Sequence, residues 1–329
     1  MSRQDSVEFQ NDHAPAVARE LASELVDAGG GHIDAILLYG SQLHRSSPSP
    51  HSAWDLVVLV DAYPPFHSAL SDSGHHTRSP SMLNLMGSIL PPYVTAFEPW
   101  GDGRPLAKCL VLTRAQFQRA MGPRSQDHFL KGRLVQHVEV VWARSAEVVE
   151  SVEDTLASAR RETLHWVAPF LGDEVFDVSS YTKRMLSVSF AGEVRPEAAD
   201  RVMEVWRSQE GWLESRFEEV LEDAAEDGVL EDLGNGRFRL AHPPGAWARK
   251  RRQLYFLRSK YRSVARWSKH IVTFNDWLTY IQRKVERRTG MDIPLTPAER
   301  KWPLLLLWPK VFRVLREGRR VGSDRELGS

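Results

Sequence analysis

Cysteine is nearly absent from this sequence. Cys109 stands alone among 329 residues, which excludes an intramolecular disulfide and a cysteine-based zinc site. Its surroundings, KCLVLT, make it a small core residue of a strand rather than a nucleophile. No apolar run reaches the roughly 18 residues that a membrane-spanning helix needs. The first residues, MSRQDSVEFQNDHAPAV, hold neither the apolar core of a secretory signal nor the Arg-rich, acid-poor pattern of a transit peptide. Together these absences predict a cytoplasmic protein, either free or peripheral at the inner face of a membrane. Net charge is also lacking, since 43 lysines and arginines meet 43 aspartates and glutamates. That zero conceals an asymmetry. From Arg249 onward 21 basic residues face 7 acidic ones, and the first 248 residues hold 22 against 36. A basic C-terminal third on an acidic body suits a polyanionic partner: anionic lipid, nucleotide or nucleic acid.

The chain is long enough for two or three domains at about 150 residues each. Ala14 to Ala28 has helical spacing and ends at Gly29-Gly30-Gly31. Ile33 to Tyr39, Trp54 to Val60, Tyr93 to Phe97 and Ala107 to Thr113 read as strands, with a further one within Val135 to Trp142. Gly40 to Ser52 reads as loop. A sheet domain over residues 1–146 follows, in an α+β chain. From Val148 the pattern is helical, through Leu171 and again over Tyr181 to Phe190, Pro196 to Ser208 and Trp212 to Ala224. Asn235-Gly236 between short apolar runs signals a two-residue hairpin. Helices closed by a hairpin predict a winged-helix-like domain over residues 147–246. Residues 247–329 form a basic helical region. Thr296-Pro297-Ala298-Glu299 is a capping box with proline at the first helical position. It opens an amphipathic helix over about 297–317 with Leu304, Leu307, Trp308, Val311, Phe312 and Leu315 on one side and Lys310, Arg313 and Arg316 on the other. Such a composition fits an interfacial helix lying in a membrane surface. Between Arg249 and Arg288, 13 basic residues are interleaved with aromatics, which suits a headgroup layer or nucleic acid.

The chemistry concentrates in LLYGSQLHRSSPSPHSAWDLVVLVD. A strand ends in Tyr39-Gly40-Ser41, a polar loop follows, and a second apolar strand opens with Asp55. A Gly-Ser turn can bring backbone N–H groups and a hydroxyl close to a triphosphate. A carboxylate on the adjacent strand, at the sheet edge, can hold the Mg²⁺ that bridges phosphate oxygens. Gly-Ser, about a dozen loop residues and Asp-Leu-Val-Val resemble the nucleotidyltransferase signature. That signature has a second acid at spacing i, i+2, on the same strand face. Ala53 and Val57 stand there instead. The pattern alone leaves three readings: an inactive enzyme, a family with another carboxylate set, or a chance match.

Tyr39-Gly40-Ser41 taken with AWDLVVLVDAYPPFHS resembles the mitochondrial-type CDP-diacylglycerol synthases, the translocator assembly and maintenance family of phosphatidate cytidylyltransferases. These have Tyr-Gly-Ser, one aspartate, a Val-Asp and a downstream histidine, matched by Asp55, Asp61 and His67. The similarity continues at Lys108 in KCLVLT, at Gly132-Arg133-Leu134, and at Ser189, Gly192 and Arg195. It reappears more loosely at Arg266, Ser268 and Lys269, and covers roughly Asp34 to Phe274. The resemblance implies a nucleotidyltransferase domain, a winged-helix domain and a C-terminal membrane-binding helix. It implies the Mg²⁺-dependent reaction of CTP with phosphatidate to give CDP-diacylglycerol and pyrophosphate. Asp55 would be the metal ligand, and Asp55 and Lys108 the catalytic pair. Tyr39, Gly40, Ser41, Arg133, Ser189, Arg266 and Lys269 would bind the nucleotide.

Other residues have plainer expectations. Lys131 is a further cation able to offset phosphate charge. Asp61 lies about 20 Å from Asp55 along a strand, too far to share a metal. His67 reads as a loop-surface histidine, Gly192 as a packing or turn glycine, and Glu98 as a candidate second ligand. His75-His76 reads as a polar loop rather than a metal site. Two rival functions stand beside this one. A nucleotidyltransferase for another small acceptor would need a general base and a second carboxylate near Asp55. A non-catalytic winged-helix nucleic-acid binder is opposed by nine acidic residues between Glu214 and Asp232.

Overall fold

The computed structural model describes residues 8–44, 53–76, 78–97, 105–193, 199–273 and 296. The residues up to Thr273 belong to one compact unit, and Phe274–Ser329 form a second. Glu98 and the helix expected over 297–317 lie outside the described residues.

The first half is built on a mixed six-stranded sheet, so the chain is α+β. Its strands are β1 (Phe9–Gln10), β2 (Ile33–Tyr39), β3 (Trp54–Val60), β4 (Tyr93–Phe97), β5 (Ala107–Thr113) and β6 (Val138–Ala143). Their order is β1-β6-β2-β3-β5-β4. β3 and β5 pair in parallel, and the other pairs are antiparallel. The apolar runs of β2 and β3 are long because both strands are internal and buried on both faces. One face packs Ile36, Leu38, Leu56, Val58 and Val111 against helix α1 (Ala16–Ala28) and helix α3 (Tyr63–Asp72). α1 contributes Leu21 and Leu25 at helical spacing, and α3 contributes Phe66 and Leu70.

Four of the expected strands have the observed bounds. Several helices were not expected. Ser41–His44 forms a short helix, α2, where the sequence reads as loop. α3 and α4 (Pro80–Ser88) each carry proline in their first turn, where its fixed φ suits a helix start. α5 (Arg114–Met121) opens with a capping box: Thr113 accepts from the Gln116 N–H, and Gln116 accepts from the Thr113 N–H at 3.1 Å.

The second half begins with α6 (Lys131–Leu134), then β6, α7 (Ala146–Arg161), α8 (Thr163–Val167) and a 3-10 turn at Ala168–Phe170. Next come β7 (Phe176–Asp177), α9 (Val178–Ala191), α10 (Ala199–Arg207), α11 (Glu210–Glu226), β8 (Leu230–Asp232), β9 (Arg237–Leu240) and α12 (Ala246–Thr273). The three short strands form a sheet of order β7-β9-β8. The hairpin differs from the two-residue expectation. Asn235 and Gly236 have φ of 56° and 67°, as an Asn-Gly turn requires, but Gly234 is also at 80°. Four residues, Leu233 to Gly236, stand between the paired strands, and Leu233 donates to the Arg237 carbonyl at 2.9 Å.

α12 binds the two halves together. Ser259 accepts from the His128 N–H at 2.9 Å, and Phe256 lies against Gly192. A Cβ on Gly192 would sit 2.6 Å from the Phe256 ring, so this glycine serves packing. The opposite side of α12 leaves Trp247, Leu254, Leu257, Tyr261 and Val264 exposed.

Two buried histidines make the fold acid-sensitive. Burial pushes His67 down to about 4 and His128 down to about 3 from the ordinary 6.5. Above pH 6.5 both are neutral in either state. As pH falls below that, the unfolded chain takes up protons that the folded chain refuses until about pH 4 and 3. We expect the urea midpoint to fall between pH 6.5 and 4.5, at about 1.4 kcal/mol per pH unit for each histidine. A midpoint constant over that range contradicts this.

Candidate active site

The antiparallel β2–β3 and parallel β3–β5 pairings bring three strand ends together. Tyr39, the last residue of β2, stands opposite Asp55 near the start of β3. Asp55 in turn stands beside Lys108 near the start of β5. Registered partners share a sheet face, so all three side chains lie on the face opposite α1 and α3. The Lys108 ammonium lies 3.2 Å from Asp55 Oδ1, with both side chains about one-third exposed. Asp55 holds the lysine's pKa above its ordinary value, against the opposing effect of burial. Asp55 is therefore not at a lateral edge of the sheet, as the sequence suggested. It sits at the end of an internal strand.

Gly40 has φ +85°, and a Cβ there would stand 3.2 Å from Asp55 Oδ2. The conformation favours glycine, and a Cβ here would press on the Asp55 carboxylate. The Tyr39 hydroxyl is buried and has no hydrogen-bond partner. Burial raises its pKa, and the Asp55 charge raises it further. Ser41 opens the short turn of α2, where the Leu43 N–H returns to the Gly40 carbonyl at 3.0 Å.

Arg133 of α6 is near enough for its charge to act on both Tyr39 and Lys108. Its guanidinium is engaged, with the Phe129 carbonyl at 2.5 Å and Glu193 Oε2 at 2.8 Å. It also lies 4.3 Å from the Phe129 ring centroid. Glu193 was not singled out in the sequence, and it neutralises the cation expected to face phosphate.

Ser189, Arg266 and Lys269 make other contacts. Ser189 is buried in α9 beside His128 Nε2 at 3.1 Å and donates to the Gly132 carbonyl at 3.3 Å. A Cβ on Gly132 would meet Ser189 Oγ at 2.5 Å, so Ser189 seats α6 on α9. Arg266 is fully buried. It donates to Asp127 at 2.9 Å and to the Pro91 carbonyl at 3.0 Å, and covers the other ring contact of Phe129 at 4.5 Å. Lys269 donates to the carbonyls of Met86 at 2.6 Å, Leu90 at 3.0 Å and Ile89. Burial, aided by Arg266, pushes its amine down to about 7. Leu90 has φ 55°, an unfavourable region for leucine that persists only when surroundings fix it. Arg266 and Lys269 are those surroundings. Asp127, which pairs both Arg262 and Arg266, gave no sequence signal because its partners lie more than 130 positions away.

The remaining candidates separate clearly. Asp61, at the far end of β3, faces His32 at 3.3 Å and Arg144 at 3.7 Å. His67 is not on a loop surface. It is fully buried in α3, between Asn84 Oδ1 at 2.6 Å and Tyr93 Oη at 2.5 Å. Cys109 is buried in β5, as expected. His76 is buried beside Thr95 Oγ1 at 3.4 Å. Among the described residues no three His, Cys, Asp or Glu side chains cluster as metal ligands. Among the described residues, Asp55 is the carboxylate that this face offers. Such a donor set fits Mg²⁺, which keeps several waters and takes one or two carboxylates plus substrate phosphates.

Gly40→Ala is expected to destabilise the fold by about 1–2 kcal/mol through its positive φ alone, read as a lower urea midpoint. An unchanged midpoint contradicts a left-handed backbone at Gly40. Comparison with protein-family profiles and with curated proteins finds no match to this chain.

Proposed function

We propose that the chain is a phosphatidate cytidylyltransferase of the mitochondrial type, transferring a cytidylyl group from CTP to phosphatidate at an anionic membrane surface. The observation that carries this reading is the strand-end geometry of Asp55. One carboxylate lies beside a glycine at φ +85° that leaves its Oδ2 uncrowded, with a lysine 3.2 Å from Oδ1. That arrangement suits a phosphate-bearing ligand, because carboxylate and ammonium can serve a bridging cation and the phosphate oxygens respectively.

In the reaction a phosphatidate oxygen attacks the α-phosphorus of CTP. A new P–O bond forms, the bond to the β-phosphate breaks, and pyrophosphate leaves with the electron pair. The attacking phosphate monoester has a second pKa near ~6 and is largely a dianion at neutral pH. No hydroxyl must be deprotonated, so turnover needs no base or second acid beyond the Asp55 that the described residues supply. Mg²⁺, when bound with the nucleotide, offsets phosphate charge. Asp55 would hold it. Lys108 would turn from Asp55 toward phosphate oxygens, and Gly40 would admit the triphosphate close to the backbone. These roles are alignment and charge stabilisation.

The remaining architecture supports the reading. Helices α9 to α11 with a three-stranded sheet of order β7-β9-β8 fit a winged-helix domain, and the six-stranded sheet fits a nucleotidyltransferase domain. On α12 the exposed Trp247, Leu254, Leu257, Tyr261 and Val264 recur at spacings of seven, three, four and three. Lys250 and Arg258 flank them, also exposed. An apolar row with basic flanks suits an interfacial contact with anionic lipid. No described helix is long and apolar enough to cross a membrane.

The test is pyrophosphate release from purified protein with Mg²⁺ and each NTP, with and without phosphatidate in mixed micelles. Release is expected with CTP and only when phosphatidate is present. Asp55→Asn is expected to lower it about 10²–10³-fold while keeping the wild-type circular dichroism spectrum. Phosphatidate-independent release, equal release from ATP, or wild-type rates in Asp55→Asn would overturn the assignment.

A further inference from the structure

Two cavities adjoin one another along the first half of α12. The smaller, about 320 Å³, has Lys131, Arg251 and Arg252 facing the single carboxylate of Glu162, with Trp166 in its wall. The larger, about 630 Å³, is walled by Leu164, Pro169, Val229 and Leu240. His165, Arg251, Arg252 and Tyr255 line both. They are two ends of one cleft, cationic at one end and apolar at the other. Its size is that of an ordinary ligand pocket.

The cationic end holds donors without enough acceptors. Lys131 is 4% exposed, and its ammonium donates to the Gly122 carbonyl at 2.9 Å. An ammonium has three donors to place. Burial pushes this amine down to about 8. Arg252 places one N–H on the His165 carbonyl at 3.0 Å and has four more. Trp166 is 2% exposed, and its indole N–H is buried with no partner. Buried polar groups are ordinarily satisfied. Three cations around one carboxylate form a surplus of donors that a phosphate, with its several acceptor oxygens, would satisfy. The apolar end has no such need and offers a place for a hydrocarbon chain.

We propose that this cleft binds an anionic amphiphile, with a phosphate monoester at the Lys131–Arg252 end and an acyl chain along Leu164, Val229 and Leu240. The choice of phosphatidate as that amphiphile rests on the cytidylyltransferase reading. The cleft would then be where the lipid acceptor is held out of the bilayer.

The experiment measures binding to the full chain without nucleotide. The probes are dioctanoyl phosphatidate below its micellar concentration, dioctanoylglycerol and inorganic phosphate. The cleft predicts saturable binding of dioctanoyl phosphatidate about tenfold tighter than either of the others. Val229→Trp fills the apolar end from a half-exposed position, and Arg251→Gln removes an exposed cation. Each is expected to weaken phosphatidate binding about tenfold without altering the fold. Phosphate or dioctanoylglycerol binding as tightly as phosphatidate would overturn the proposal. So would unchanged affinity in both variants. Phosphatidate that binds but accepts no cytidylyl group supports the cleft and removes the reaction. Cytidylyl transfer with a wild-type KM for phosphatidate in both variants removes the cleft and leaves the reaction.

Discussion

The ion pair between Asp55 and Lys108 depends on one piece of backbone geometry, the parallel pairing of β3 with β5. Parallel register places residue beside residue, so two side chains 53 positions apart meet at 3.2 Å. Shifting that register by one residue would send one of them to the α1 face, into the packed cluster of Leu56, Val58 and Cys109. The buried core therefore fixes the site. The apolar runs of β2 and β3, buried on both faces, drive the sheet together and leave Asp55 and Lys108 at its strand ends. Gly40 belongs to the same constraint. With β2 ending opposite Asp55, the next residue turns away at φ +85°, which favours glycine, and a Cβ there would press on the carboxylate.

α12 supplies the second organising contact. Its cations are of two kinds. Arg262, Arg266 and Lys269 are committed to Asp127 and to the carbonyls of the Met86–Pro91 turn. They act as struts that hold the loop before β4. Arg251 and Arg252, one to two turns from the helix start, border the cleft instead. The charge asymmetry visible in the composition thus resolves into structural cations and cations that face open space. Counting residues could not separate them, because the difference lies in the acceptors that the rest of the chain brings to each.

Sequence reading worked where local pattern and tertiary demand agree. Ile33–Tyr39, Trp54–Val60, Tyr93–Phe97 and Ala107–Thr113 are apolar strands bounded by turn residues, and nothing competes with that signal. Tyr39, Gly40, Asp55 and Lys108 were legible as candidates, and the structure gathers them. The reading failed at His67, expected on a loop surface, because the helix starts at nearby prolines were not recognised. Pro64-Pro65 and Pro80 start helices, and the first of these carries His67 into the core. The capping box Thr113-Arg114-Ala115-Gln116 was present in the sequence and marks a helix of only eight residues, too short for periodicity to reveal. Glu193 and Asp127 were invisible for a different reason. Each matters because of an arginine distant in sequence, and no local pattern encodes such a partner. Ser189, Arg266 and Lys269 came from resemblance, and here they make packing and strut contacts away from the Asp55 carboxylate.

The central proposal is that Asp55, the carboxylate of this face among the described residues, braced by Lys108, holds a nucleotide-bound divalent cation. Electron paramagnetic resonance of Mn²⁺ tests it most directly, with wild type and Asp55→Asn titrated against Mn²⁺ in the presence and absence of CTP. The account predicts that wild type immobilises Mn²⁺ strongly only when CTP is present, because one carboxylate is a weak site until phosphates complete it. It predicts that Asp55→Asn loses this immobilisation. Equal Mn²⁺ capture by the two proteins in the presence of CTP would contradict it.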